Sequence, residues 1–336
     1  MPAEEKLSQG FVAREKRLTQ TVRPLRESSK GSMKTNVILT GDNSEVLKSF
    51  PDGCIDLTVT SPPYDNLRDY KGYSFNFEAL VKELFRVTKN GGVVVWVVGD
   101  STIDGSESLS SFRQAIGFQE TGFNVHDTMI YKKSGIAYPS FDKYYQQFEY
   151  MFIFSKGKPN TFNPLKDRKN RWSGSWSDQS SRMKNGELKS RKKVVKTAEE
   201  YGVRSNIWEI HAGAGYGQTD KIAYEHPATF PEALANDHIL SWSNEGDIVL
   251  DCFAGSGTTL KMAKMLSRQY IGIEISPEYV TLAEKRLLAT NVPLFGQGRG
   301  LTLPAPDGGD SAPSQALSTP DMFSAIENEP TPAPRR

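Results

Sequence analysis

The sequence predicts a doubly wound α/β fold, and three observations carry that expectation. Apolar, β-branched runs stand at 55–60, bounded by Gly53 and Pro62, and at 93–98, as buried parallel strands do. Residues 78–87 place apolar side chains at 80, 81, 84, 85 and 87, one face of a helix. Residues 248–274 run from a short apolar strand through a glycine-rich turn into a helix and a second strand. Strands alternating with helices build a sheet covered on both faces, with ligands at the carboxyl ends of its strands.

Taken in order, residues 37–39 open the domain as a strand and 44–49 follow as a short helix. Ile55 to Thr60 is the next strand, closed by Pro62. The helix at 78–87 is expected to be ended by Asn90-Gly91-Gly92, before a buried strand at 93–98. A helix at 109–121 and strands at 129–131 and 150–154 come next. Residues 248–250 form a strand, 258–267 a helix, 270–274 a strand and 277–290 the closing helix.

The 336 residues carry 41 Lys+Arg against 40 Asp+Glu, enough chain for a sizeable core and too balanced for a polycation. The apolar runs are far too short to cross a bilayer, so no membrane partner is expected. The N-terminus is charged and lacks the apolar core of a secretory signal, which predicts a cytoplasmic protein. Cys54 and Cys252 are far apart and match neither a disulfide framework nor a Cys-x-x-Cys site. The four histidines show no His-Glu-x-x-His spacing, so no metal is expected. Residues 1–32 are polar and basic and read as a flexible arm, with the folded unit opening at Met33. Residues 297–336 are rich in Pro, Gly, Ser and Ala and read as a disordered tail, 321–326 included.

Residues 156–204 break the rhythm. They hold 14 basic and five acidic residues, a net charge of +9, with Trp172, Trp176 and several amides interleaved. Such a mixture suits phosphate contacts together with base-edge reading. Lys169, Arg171, Lys184, Lys189, Arg191, Lys192 and Lys193 are its candidate DNA contacts. The plainer reading is a solvated insertion with no partner.

Asp251-Cys252-Phe253-Ala254-Gly255-Ser256-Gly257-Thr258-Thr259 follows a strand and opens a helix. Gly255 and Gly257 let backbone approach a ligand closely, and helix N-terminal amides face it. A P-loop needs Lys directly after its last glycine, where Thr258 stands. A dinucleotide fingerprint needs a third glycine, where Leu260 stands. S-adenosylmethionine, cationic and without phosphate, is the third ligand class. Glu274, at the end of the next strand, is placed to accept both ribose hydroxyls. A tight turn with no ligand is the fourth reading.

Thr60-Ser61-Pro62-Pro63-Tyr64 ends a buried strand. Two prolines hold the chain extended without amide donors, so carbonyls remain as acceptors in a rigid frame. Ser61 Oγ and the Pro62 carbonyl can each accept one hydrogen of an exocyclic amino group, freeing the nitrogen lone pair from the ring. Tyr64 can stack on a base that has left the duplex. Alone, the segment reads better as a strand-terminating turn.

Together these blocks resemble the β group of amino-methylating DNA methyltransferases, the N4-cytosine and N6-adenine enzymes. The similarity spans about residues 35–295: Gly41-Asp42-Asn43 with Leu47, then Ser61-Pro62-Pro63-Tyr64, then His226-Pro227-Ala228-Thr229-Phe230-Pro231, then Phe253 to Thr259 with Glu274. The catalytic block precedes the cofactor block, with the basic insertion between them, which is the permuted order of that group. The resemblance implies a Rossmann-like methyltransferase fold with a mixed sheet. It divides the chain into a catalytic half at 33–155, a target-recognition insertion at 156–224 and a cofactor half at 225–296.

It also implies roles. Ser61, Pro62, Pro63 and Tyr64 are catalytic, and Asp251, Phe253, Gly255, Gly257 and Thr258 line the cofactor site. Glu274 takes the ribose, and Asp42 faces the adenine amino group of S-adenosylmethionine. Thr229 lies in the block that contacts the methionine part, although Ala228-Thr229-Phe230-Pro231 departs from the usual Thr-Gln-Lys-Pro. Members with Asp before Pro-Pro-Tyr mostly act on adenine N6 and those with Ser mostly on cytosine N4, so Ser61 favours cytosine. Carbon-5 methylation is disfavoured, because neither cysteine follows a proline as a thiolate nucleophile usually does. The expected partner is double-stranded DNA in a restriction-modification setting, with a cognate endonuclease at the same site; monomer and dimer both stay open. The alternatives are adenine N6 methylation, methylation of a protein glutamine, and a DNA-binding module without turnover.

Overall fold

A computed structural model describes residues 33–63, 75–134, 143–183, 185–211 and 217–290. The chain divides into two units, residues 1–291 and 292–336, and every described residue lies in the first. The readings of 1–32 as an arm and of 297–336 as a tail fall outside the described residues.

The first half holds β1 (Val37–Thr40), α1 (Asn43–Leu47), β2 (Ile55–Thr60), α2 (Phe77–Val87), β3 (Thr88–Val98), the two-residue strands β4 (Thr102–Ile103) and β5 (Ser106–Glu107), α3 (Ser110–Thr121), β6 (Asn124–Lys133) and β7 (Phe148–Ser155). Then come β8 (Arg168–Lys169), β9 (Gly174–Arg182), β10 (Leu188–Ala198), β11 (Tyr201–Gly202) and β12 (Ile207–Ile210). The last part holds α4 (Glu232–Trp242), β13 (Ile248–Asp251), α5 (Thr258–Met265), β14 (Gln269–Glu274) and α6 (Pro277–Ala289).

Among the described residues the main sheet has eight strands in the order β1-β14-β13-β2-β3-β7-β6-β12. Its pairings are parallel except for β7, which runs antiparallel to both β3 and β6. Sequence alternation explains why both faces are covered. Val94, Trp96 and Val98 pack on one side with Leu80, Leu84, Phe118 and Phe154. Val93, Val95 and Val97 pack on the other with Leu234, Ile239, Trp242 and Met262. An unbroken apolar strand is the signature of burial on both faces.

The structure departs from the sequence expectations in three places. Helix α2 does end at Val87, but Asn90-Gly91-Gly92 lies inside β3 rather than capping the helix. The glycines serve close approach there. A Cβ on Gly91 (φ +79°) would strike the Asn160 side chain, and one on Gly92 would come within 3.0 Å of the Asp56 carbonyl. Helix α4 is unexpected, because it buries residues almost all round and so shows no apolar stripe. Within 156–224, strands β9 and β10 pair as an antiparallel hairpin, whereas β12 joins the edge of the main sheet beside β6. Among the described residues no helix is long and apolar enough to cross a membrane.

Candidate active site

Three of the four sequence blocks meet because the strands that present them are neighbours. Gly41-Asp42 follows β1, Glu274 ends β14, Asp251 ends β13 and Ser61-Pro62-Pro63 follows β2. These strands lie side by side and parallel, so their carboxyl ends open on one edge of the sheet. That edge is where open α/β sheets bind ligands.

The glycine-rich loop is built around its neighbours. Gly255 has φ +50°, and a Cβ there would come 3.0 Å from His226 Nε2. Gly257 has φ +77°, caps α5, and lies against Ala283 of α6. Glu274 is held at its strand end by two amides, accepting from Gly255 N at 2.8 Å and from Ser276 N at 3.0 Å. Phe253 is half-buried, its ring edge-on to Phe75 at 4.9 Å and to Trp96 at 6.1 Å. Asp42 caps α1, accepting from Ser44 Oγ at 2.6 Å and from Glu45 N at 3.1 Å.

Two of the expected cofactor contacts, Asp251 and Thr258, have buried side chains. Asp251 is 1% exposed, and its carboxylate accepts from Thr60 Oγ1 at 2.7 Å and Phe253 N at 3.1 Å. Burial pushes its carboxyl up to about 6, against the opposing pull of the Thr60 and Thr259 hydroxyls. Thr258 is buried, and its hydroxyl accepts from Arg286 at 2.9 Å. Their side chains hold neighbouring parts of the loop and of β2 from within the protein. The Thr60–Asp251 bond has a further consequence: it ties the strand end that presents Ser61 to the strand end that presents the loop. Thr259 Oγ1 adds a second tie, donating to the Val59 carbonyl at 3.2 Å.

Beyond β2, Pro62 is buried and Ser61 and Pro63 are half-buried. Tyr64 lies outside the described residues. The His226 block sits over the loop: His226 Nδ1 accepts from Ala228 N at 3.1 Å, and its ring meets Tyr279 edge-on at 4.3 Å. Thr229 is half-buried just before α4. Both cysteines are poor nucleophiles, since burial pushes Cys54 up to about 11 and raises Cys252 further.

Sequence reasoning missed a buried ion cluster. Lys261 donates to Asp220 at 2.7 Å and Glu232 at 2.6 Å, and Arg286 to Asp220 at 2.8 Å and Glu232 at 2.6 Å. Burial alone would raise the Asp220 carboxyl, but the hydrogen bonds from Lys261 and Arg286 hold it below the usual range. A signal was present in the sequence: Arg286 falls on the same face of its helix as Leu282 and Ala283, a charge in an apolar stripe.

Of the candidate DNA contacts, Lys169 (in β8) and Arg171 are exposed, and Lys169 lies 3.9 Å from Glu200. Lys189, Arg191, Lys192 and Lys193 fall in β10. Lys184 lies outside the described residues. In the hairpin, Ser190 pairs with Ser180 and Val194 with Asp178, so Arg191-Lys192-Lys193 bulges opposite Gln179.

A family model for N6/N4 methyltransferases, described as DNA methylase, matches residues 55–285. The chain is 61% identical over 237 residues to the orphan methyltransferase M.BamHII of Bacillus amyloliquefaciens, covering 70% of this chain and 89% of that one. It is 30% identical to the Type II beta methyltransferase M.BslI of Bacillus sp. (strain NEB-606), over 76% of this chain but only 28% of that one. Among solved structures it resembles TTHA0409 of Thermus thermophilus, a candidate DNA modification methylase in complex with S-adenosyl-L-methionine. There the TM-score is 0.52 and the identity 26%, over 77% of this chain and 95% of that one.

Proposed function

The chain belongs to the N6/N4 DNA methylase family, and we propose that it transfers a methyl group from S-adenosylmethionine to N4 of cytosine in double-stranded DNA. One observation carries the reading: the Thr60–Asp251 bond fixes the Ser61-Pro62-Pro63 segment beside the glycine-rich loop, on the ligand-binding edge of the sheet. The donor fits what surrounds that loop. Glu274 offers an oriented carboxylate, Gly255 turns the chain in the left-handed region close against His226, and no lysine follows Gly257 as a phosphate ligand would require. Glu274 would hold the ribose, Asp42 the adenine amino group, Phe253 a ring face, and the Thr229 block the methionine end.

When bound, S-adenosylmethionine supplies an electrophilic methyl on a cationic sulfur. The chain's own residues prepare the nucleophile. Ser61 Oγ and the Pro62 carbonyl accept the two amino hydrogens of the flipped base, which directs the nitrogen lone pair out of conjugation. Tyr64 stacks on the ring. As the nitrogen takes the methyl, the sulfur–methyl bond would break to leave neutral S-adenosylhomocysteine, and the methylated nitrogen would lose one proton to solvent while Ser61 Oγ and the Pro62 carbonyl hold it in place. A hydroxyl is a weaker acceptor than a carboxylate, so Ser61 orients and polarises rather than acting as a strong base. Serine at this position, not aspartate, supports cytosine over adenine. The basic insertion with its hairpin contacts the duplex, and the Type II designation of M.BslI supports a restriction-modification setting. Such work places the protein with the genome, in the cytoplasm.

Plasmid DNA incubated with purified protein and S-adenosylmethionine, digested to nucleosides and resolved by mass spectrometry, tests the reading. N4-methylcytosine is the expected product. N6-methyladenine alone overturns the choice of base, and unmodified DNA overturns the reading as a DNA methyltransferase.

A further inference from the structure

We propose that Arg286 is a positioning residue that sets the shape of the glycine-rich loop before the methyl donor arrives. This rests on the reading of that loop as the cofactor site. Arg286 is 1% exposed and spends every nitrogen of its guanidinium. Nη1 faces the loop, donating to the Ser256 carbonyl at 3.2 Å, Ser256 Oγ at 3.3 Å and Thr258 Oγ1 at 2.9 Å. Nε and Nη2 face the segment after the basic insertion, donating to Asp220 at 2.8 Å, Glu232 at 2.6 Å and the Gln218 side-chain oxygen. Gln218 in turn donates to the Phe230 carbonyl at 2.7 Å, inside the His226 block. One planar fork therefore joins the loop to the block that covers it.

The loop needs such a hold. Ser256 stands between Gly255 and Gly257, both in the left-handed region, and glycines leave a free chain the most conformations to lose. Gly255 is also the residue whose amide orients the Glu274 carboxylate. Holding Ser256 and Thr258 in place fixes the residues on both sides of Gly257 and removes that entropy before binding, which is preorganisation. Lys261 is the internal contrast. Its ammonium donates to the same two carboxylates and to Thr219, and not to Ser256 or Thr258. Two cations and two anions balance in the cluster, so removing one charge alone would leave its partner buried and uncompensated.

The test therefore compares two charge-balanced double variants in the full chain. R286M/E232Q removes the hold on the loop; K261M/E232Q removes one cation and one anion while keeping it. Calorimetric titration with S-adenosylmethionine gives the readout, with thermal midpoints and DNA binding without cofactor as checks of folding. Expected is a rise in Kd of about tenfold or more for R286M/E232Q and under about threefold for K261M/E232Q. Equal rises in the two overturn the proposal, leaving the cluster as packing alone. If R286M/E232Q does not fold, R286K replaces it: the charge stays but the fork is gone, and cofactor affinity should still fall. An R286K protein that binds like the parent overturns the proposal. A parent protein that does not bind S-adenosylmethionine at all instead refutes the cofactor reading on which it rests.

Discussion

At the scale of single residues, the proposed chemistry concentrates on acceptors rather than on bases. Ser61→Ala should leave cofactor affinity intact while cutting turnover on the order of 10²-fold, because the proposed mechanism gives it a polar contact to the reacting amino group. Single-turnover methylation together with cofactor titration separates the two effects; an unchanged rate takes Ser61 out of the mechanism. Glu274→Ala should act in the opposite way. Its carboxylate is held by the Gly255 and Ser276 amides, so its removal weakens cofactor binding and also leaves two loop amides without their acceptor. Calorimetry showing the parent's affinity would place the ribose elsewhere. Both positions stand out in the sequence, Ser61 because two prolines end a buried strand after it and Glu274 because it closes the strand that follows the glycine-rich turn. Arg286 and Asp251 are less legible: Arg286 shows only as a charge in the apolar stripe of its helix, without its partners, and nothing marks that an aspartate at a loop's mouth will bond to a threonine far earlier in the chain.

Elements repeat the lesson with a physical reason attached. Strands buried on both faces announce themselves, because β2 and β3 are apolar or β-branched at nearly every buried position, and the buried Thr60 hydroxyl is paired with Asp251. Helix α4 did not, since it is enclosed by the sheet, α5 and the segment before it and carries buried Glu232, Asn236 and His238 as well as apolar residues. The β9–β10 hairpin was invisible to periodicity, being serine-rich on one strand and cationic on the other, and only its charge was readable. That charge makes a prediction that belongs to the element. Reversing Lys189, Lys192 and Lys193 to glutamate should weaken DNA binding and flatten the slope of log K against log salt, by roughly one for each phosphate no longer neutralised. Cofactor affinity should not move, because the hairpin lies outside the sheet that forms the loop. A salt slope equal to the parent's removes the hairpin from the DNA interface.

For the molecule as a whole, two buried groups set opposing dependences of stability on pH. His238 is fully buried, stacked on Trp208 at 4.5 Å with Nε2 facing Met151 Sδ at 3.2 Å, and burial pushes it from 6.5 down to about 3. The folded state therefore resists a proton that the unfolded chain accepts, and stability falls as pH drops below 6.5. Asp251 has the reverse sign. Burial raises it from 3.8 to about 6, so the folded state bears a costly buried charge at neutral pH and is relieved of it as pH falls through 6. Each group contributes a slope of about 1.4 kcal/mol per pH unit between its two values, and from roughly pH 4 to 6 the slopes oppose each other. Single variants should unmask them. Relative to the parent, Asp251→Asn should lose ground on acidification, because the parent gains from protonating Asp251 and the variant cannot. His238→Phe should gain ground over the same range, because only the parent must keep an imidazole neutral. Thermal midpoints measured from pH 4 to 7 give both differences, and their signs must be opposite. Differences of the same sign, or flat ones, would mean that the Asp251 carboxyl under the glycine-rich loop or the imidazole of α4 is not sealed from water as its burial requires.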